Sequence, residues 1–312
     1  MWRVKCLTAT PALRHCALMP QRSSPQAVQA MDPSPAVIAR ITDPVIVHRP
    51  AERRSPLLAA SPHSGRTYPP DLLAQSALPL DQLRRSEDAY VDKLIEAAPQ
   101  LGITSVMAPF PRVFIDPNRS TRELDPALFP DMAATSAGTT PHVQAGLGII
   151  PRVSAGGRAL YHGPLSTAEA RQRIADYYRP YHGAIDVELK SACDIFGKAI
   201  LLDFHSMPAI AAGGADIVLG DRHGSACDAS IMTRVEAAFL AQGFLVRRNR
   251  PYAGGYTTAC YGKPGQNRHA IQIEINRGLY LNEETVTRSG TFPATREKVE
   301  AVLRALVQEK WS

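Results

Sequence analysis

The run Ala199-Ile200-Leu201-Leu202-Asp203-Phe204-His205-Ser206-Met207 decides the fold class. Its apolar start is far shorter than the roughly 20 residues of a membrane span, so residues 199–205 read as a strand that ends on an imidazole. Comparable runs recur at 56–61, 103–108, 112–116, 216–220, 244–247 and 270–276. Helical patterns lie between them. Val91, Leu94, Ile95 and Ala98 fall at i, i+3, i+4 and i+7 and predict one apolar stripe against a sheet. Ala170, Ile174, Tyr177 and Tyr181 repeat that spacing behind a capping box of Ser166 and Glu169, with Pro180 expected to break or kink the helix. Val299, Leu303 and Leu306 mark a last helix, expected to cover the sheet edge. Strands alternating with helices predict an α/β fold with a largely parallel or mixed central sheet.

One stretch breaks the alternation. From 116 to 166 the chain turns to Pro, Gly, Thr and Asp, and a long excursion of this kind is expected to wall a functional site. The chain has 312 residues, 45% hydrophobic and 21% charged, enough for one large buried core. Its net charge of +6 is unevenly placed: before residue 56 there are eight basic residues against three acidic, +5 of the total. The rest is close to neutral, so no nucleic-acid partner is implied, and no run is long enough for a membrane helix. Residues 1–35 read as a leader outside the fold, with Met31 as an alternative start, and 36–312 as a single catalytic domain. Five cysteines without C-x-x-C pairing argue for a reducing cytoplasm and against cysteine metal ligands.

Of nine histidines, His63 in Ser61-Pro62-His63-Ser64-Gly65 and His205 stand apart, because each follows a strand directly and precedes Ser. Ligands of α/β sheets bind just beyond the carboxyl ends of strands. A catalytic zinc takes three protein ligands and leaves one position open; with two histidines, the third is sought in Glu87-Asp88, a pair that also suits a helix N-terminus on its own account. In Ile271-Gln272-Ile273-Glu274-Ile275-Asn276 strict alternation puts the isoleucines on one face and Glu274 on the other. A carboxylate inside such a strand is paired with an Arg or works at a site. Arg112, Asn118 and Arg119 form a candidate anion clamp at a strand exit. Gly254-Gly255-Tyr256 reads as a loop that closes over substrate or as an ordinary turn, and Gly146-Leu147-Gly148 lacks the third glycine of a dinucleotide site.

Together the motifs SPHSG at 61–65, EDAYVDKL at 87–94, IDPNR at 115–119, DFHSMP at 203–208, RPYAGGYTT at 250–258 and IQIEINRGLY at 271–280 resemble the N-formylglutamate amidohydrolases, over roughly 56–285. That family is similar to the zinc carboxypeptidases and aspartoacylases. The resemblance implies a phosphorylase/hydrolase-like mixed sheet flanked by helices and one Zn2+ per chain on His63, His205 and an acid. It implies Glu274 as base, Asn118 and Arg119 on the substrate carboxylate, and Arg112 helping the oxyanion. Where the carboxypeptidases carry the acid three residues after the first histidine, this chain has Arg66; Asp88 is taken instead, with Glu87 as runner-up. A second carboxylate on the substrate would be met by Arg250 or Arg222, and Tyr256 is expected to touch substrate. The implied reaction releases a free amino acid from a small N-acyl amino acid, within amino-acid and specifically histidine degradation. A zinc carboxypeptidase and a non-catalytic amino-acid-binding protein stand as alternatives, and the sequence sets no oligomeric state.

Overall fold

Apolar runs bounded by turn residues pair side by side because each leaves its backbone donors and acceptors to be satisfied by a neighbour. In the computed structural model, which describes residues 36–132 and 140–311, they make strands β1 (Val37–Ile38), β2 (Ile46–His48), β3 (Leu57–Ser61), β4 (Thr67–Tyr68), β5 (Thr104–Met107) and β6 (Ala199–Met207). They continue with β7 (Ile217–Gly220), β8 (Val246–Arg248), β9 (Arg268–Asn276), β10 (Leu281–Asn282) and β11 (Thr287–Arg288). Seven form the main sheet in the order β2-β5-β3-β6-β9-β7-β8. β5, β3, β6 and β9 are mutually parallel, while β2 and β7 join that block antiparallel. Two short ladders, β1 with β4 and β10 with β11, stand apart.

The helices are α1 (Pro70–Gln75), α2 (Leu80–Arg84), α3 (Val91–Leu94), α4 (Pro141–Gln144), α5 (Thr167–Arg173), α6 (Arg179–Phe196), α7 (Ala229–Ala241), α8 (Tyr256–Tyr261) and α9 (Phe292–Gln308). They cover both faces, giving the mixed α/β sheet flanked by helices that was expected. Leu57, Ile200, Leu202, Ile271, Ile273 and Ile275 pack with α3, α7 and α9 in one core. Leu58, Ala60, Leu201 and Ala270 pack with α5, α6 and the 110–165 region in the other. Each such fully buried aliphatic side chain contributes about 1.5–3 kcal/mol relative to exposure. The described residues all fall in one compact unit, Ser34–Ser312; the leader expected at 1–35 lies outside the described residues.

Four expectations are corrected. Residues 112–116 are turns, not a strand: Val113, Phe114 and Ile115 are apolar because they fill the second core from an irregular segment. The stripe Val91, Leu94, Ile95, Ala98 is fully buried as expected, yet only Val91–Leu94 is α-helical, since Pro99 opens a 3-10 turn directly after it. Pro180 does not end its helix. A π turn at Ile174–Tyr178 precedes it and α6 runs on to Phe196, the wider turn being one way to accommodate a residue without an N–H. Finally, α9 lies against α3 and α7 over a sheet face, not at the edge.

A candidate metal centre at the carboxyl ends of the strands

β6 and β9 pair in parallel with His205 opposite Glu274 and Asp203 opposite Gln272. Side chains alternate across a strand, so along β6 the face bearing Ala199 and Leu201 also bears Asp203 and His205. That face is core at its amino end and polar at its carboxyl end. On the other side of β6, β3 ends at Ser61, and His63 follows two residues later. The Asp88 backbone N–H donates to the His63 carbonyl at 2.9 Å, bringing the turn ahead of α3 to the same place.

Three acceptor atoms converge there. His63 Nδ1 and His205 Nδ1 are 3.1 Å apart, and Asp88 Oδ2 lies 3.3 Å from the first and 3.0 Å from the second. All three residues are buried. The opposite nitrogen of each ring faces a carboxylate: His63 Nε2 is 2.7 Å from Asp116 Oδ1 and His205 Nε2 is 3.0 Å from Asp203 Oδ2. With the Nε2–H protons given to those carboxylates, both Nδ1 lone pairs face Asp88 Oδ2, a group able to hold a metal ion. A tetrahedron with metal bonds of about 2.0–2.1 Å has edges near 3.3 Å, so the donor set fits a zinc-like ion. The far oxygen of Asp88 accepts from Ser206 Oγ at 3.1 Å and from Arg277 Nη2 at 3.0 Å. Burial opposes ionisation of Asp116, yet the Arg112 guanidinium beside it holds its carboxyl well below the usual range.

Beside this cluster opens a cavity of about 490 Å3, within the range of about 300–1,000 Å3 common for small-molecule sites. Its lining includes His63, Asp88, Arg112, Asn118, Arg119, His205 and Glu274. Glu274 is buried and accepts from Gln272 Nε2 at 2.7 Å; burial pushes its carboxyl up, with His205 opposing. Arg112 donates one N–H to Asp116 Oδ2 at 2.7 Å. Arg119 donates to the carbonyls of Leu147 and Asn118. The 116–166 excursion supplies a wall, with His142, Leu147, Pro151, Val153 and Ala155.

Some sequence candidates fall elsewhere. Glu87 turns away from the centre and accepts from Tyr68 and Arg84, so the acid beside the histidines is Asp88. Arg250 and Arg222 are exposed and do not line the cavity. Tyr256 opens α8 and packs on the second core, and Tyr252 lines the cavity in its stead. Sequence reading missed Asp116, Asp203, Gln272 and Arg277. Two of these carry a signal: Asp203 and Gln272 stand two residues before His205 and Glu274 on strands, hence on the same face.

An α/β sheet that gathers two histidines, an aspartate and a buried glutamate at one end of its parallel strands has the parts of a hydrolase, and its relatives place it in that class. The chain is 31% identical over 266 residues to the N-formylglutamate deformylase of Pseudomonas aeruginosa and 30% identical over 264 residues to that of Pseudomonas putida, in each case covering 81% of this chain and 93% of the relative. The crystal structure of the N-formylglutamate amidohydrolase from Ralstonia eutropha JMP134 superposes with a TM-score of 0.80 at 35% identity, over 85% of this chain and 97% of that one. Residues 55–281 match the model of the N-formylglutamate amidohydrolase family, and the chain belongs to that family.

Proposed function

We propose that this amidohydrolase cleaves the amide of a small N-acyl amino acid, N-formylglutamate foremost, with one zinc ion held by His63, Asp88 and His205. The observation that carries this reading is the triangle of Nδ1, Nδ1 and Oδ2 atoms 3.0–3.3 Å apart beside Glu274. Bound zinc polarises the amide carbonyl and makes water acidic enough to attack near neutral pH, with a pKa of about 7 in tuned sites. Glu274, as the carboxylate, takes a proton from the attacking water, and the burial that raises its proton affinity suits it to hold that proton until it passes to the departing nitrogen. Water and amide are consumed; an amine and formate leave. Arg112 has N–H groups beyond the one given to Asp116 and directs them to the carbonyl oxygen as charge develops. Asn118 and Arg119 hold the substrate α-carboxylate. The names of the relatives supply the formyl group and glutamate, and a cavity of about 490 Å3 suits a molecule of that size.

The reading extends to a small-molecule partner in a reducing cytoplasm. Cys193, Cys227 and Cys260 are free thiols, and no described helix is long and apolar enough to cross a membrane. The test is metal analysis with formate release from N-formylglutamate and a series of N-acyl amino acids and short peptides. Stoichiometric zinc is expected, with Glu274→Gln keeping the metal while kcat falls about 10^2–10^4-fold. Full activity in Glu274→Gln defeats its assignment; faster cleavage of extended peptides makes the chain a carboxypeptidase, and tight binding without cleavage makes it a binding protein.

A further inference from the structure

Asn118 and Arg119 sit in a segment without regular structure, so something other than a strand ladder must fix them. The segment's carbonyls are taken by side chains reaching across from the helices. Tyr178 Oη donates to the Arg119 carbonyl at 2.9 Å, and His182 Nε2 donates to the Pro117 carbonyl at 2.9 Å. These are the carbonyls on either side of Asn118. Because the Pro117 carbonyl only accepts, His182 Nε2 carries the proton and Nδ1 accepts from the Tyr261 hydroxyl at 2.7 Å. Burial lowers the His182 pKa, in keeping with this neutral tautomer. The imidazole is held between the rings of Tyr178, at 4.1 Å, and Tyr261, at 5.8 Å.

Two further observations bear on the same segment. Tyr178 closes the π turn Ile174–Tyr178, and His182 stands four residues later, so the irregular turn sets which side chains of this long helix point at 117–119. From the opposite side Asn118 Oδ1 accepts from the Thr257 backbone N–H at 2.8 Å, and a Cβ on Gly255 would come within 2.5 Å of Asn118 Nδ2. Asn118 is therefore gripped by α6 and its π turn on one side and by the Gly255–Thr257 backbone on the other.

We propose that His182 and Tyr178 are positioning residues that set substrate affinity by fixing the carbonyls flanking Asn118, and so the direction of the Asn118 and Arg119 side chains. This rests on the assignment of those two residues to the substrate carboxylate. Neither His182 nor Tyr178 lines the cavity, so the effect belongs in KM more than in kcat and leaves the metal in place.

The experiment compares His182→Leu, His182→Gln and Tyr178→Phe in the zinc-loaded full chain, measuring KM, kcat and zinc content. Amide hydrogen exchange of the peptide covering 113–121 is followed by mass spectrometry and needs no substrate. Loss of one such hydrogen bond predicts a rise in KM of about five- to tenfold for His182→Leu and Tyr178→Phe, with kcat within about twofold, full zinc occupancy and faster exchange in 113–121. His182→Gln, whose amide N–H can reach the same carbonyl, should recover most of both effects. Tyr178→Phe keeps the ring and removes only the hydroxyl, so it reads the idea even where His182→Leu fails to fold. Unchanged exchange, or faster exchange with KM unchanged, overturns the proposal, as does His182→Gln behaving like His182→Leu. Absence of formate release from wild type with every N-acyl substrate would instead sink the functional reading, while the exchange data still report whether the two side chains fix the segment.

Discussion

At the scale of single residues, the proposed metal centre depends on atoms beyond its three proposed ligands. Asp203 and Asp116 choose the tautomers of His205 and His63, and Arg277 with Ser206 fixes the rotation of Asp88 through its far oxygen. Arg277 also donates to the Glu87 carbonyl at 2.7 Å and to Ser206 Oγ at 2.9 Å, so its guanidinium joins the end of β6 to the turn that carries Asp88. Outer partners of metal ligands typically matter by about 10–100-fold in affinity or activity. Asp203→Asn is therefore expected to weaken zinc by about that factor, as read by competition with a chelator of known affinity. Arg277→Lys, which keeps the charge but not the planar fork, should show a smaller loss in the same measurement. Wild-type affinity in both variants would mean that the ligands orient themselves. His63, His205 and Glu274 were legible in the sequence because each ends or interrupts an apolar run. Arg277 was not, since an Arg after a strand is ordinarily a surface residue and its partners lie up to 192 positions away.

At the scale of elements, strand period and register did most of the placing. The alternation in 271–276 is enough to say that Glu274 faces away from the isoleucine core. That it faces His205 follows only from the pairing of β6 with β9, which no local pattern encodes. The same limit explains the false strand at 112–116 and the shortened helix at α3: burial makes a segment apolar whatever its backbone does. Gly65 shows what the element requires. A Cβ there would collide with the backbone carbonyls of Ala108 and Phe110, so the turn carrying His63 packs directly on the chain leaving β5. Backbone cannot rotate away as a side chain can. Gly65→Ala should therefore destabilise the fold by about 1–3 kcal/mol, the range for overpacking, and lower zinc occupancy because His63 moves with the turn. Calorimetric unfolding with and without added zinc checks both; an unchanged melting temperature would show that the contact relaxes freely.

At the scale of the whole molecule, the three proposed ligands come from three separate regions. Asp88 is 25 residues from His63 and 117 from His205, on the exit of β3, the turn before α3 and the end of β6. A cation shared among them would add to the links the folded chain already makes through the sheet, the Asp88 to His63 backbone hydrogen bond and the Ser206 and Arg277 contacts with Asp88. It also relieves two nitrogen lone pairs and a carboxylate oxygen pressed within 3.3 Å of one another. An ion that binds the native state and not the unfolded chain stabilises by about 2.7 kcal/mol when present at 100 times its dissociation constant. For a domain of this size that corresponds to a shift of roughly 4–5 °C in melting temperature. Chelation should thus lower the melting temperature by about that amount and abolish amide cleavage, and stoichiometric zinc should restore both together. The Glu274→Gln variant should show the same thermal response while remaining inactive, because the carboxylate handles protons and does not hold the ion. A melting temperature indifferent to chelation, in a preparation first shown to contain metal, would mean that the triangle of His63, Asp88 and His205 is not where that metal binds.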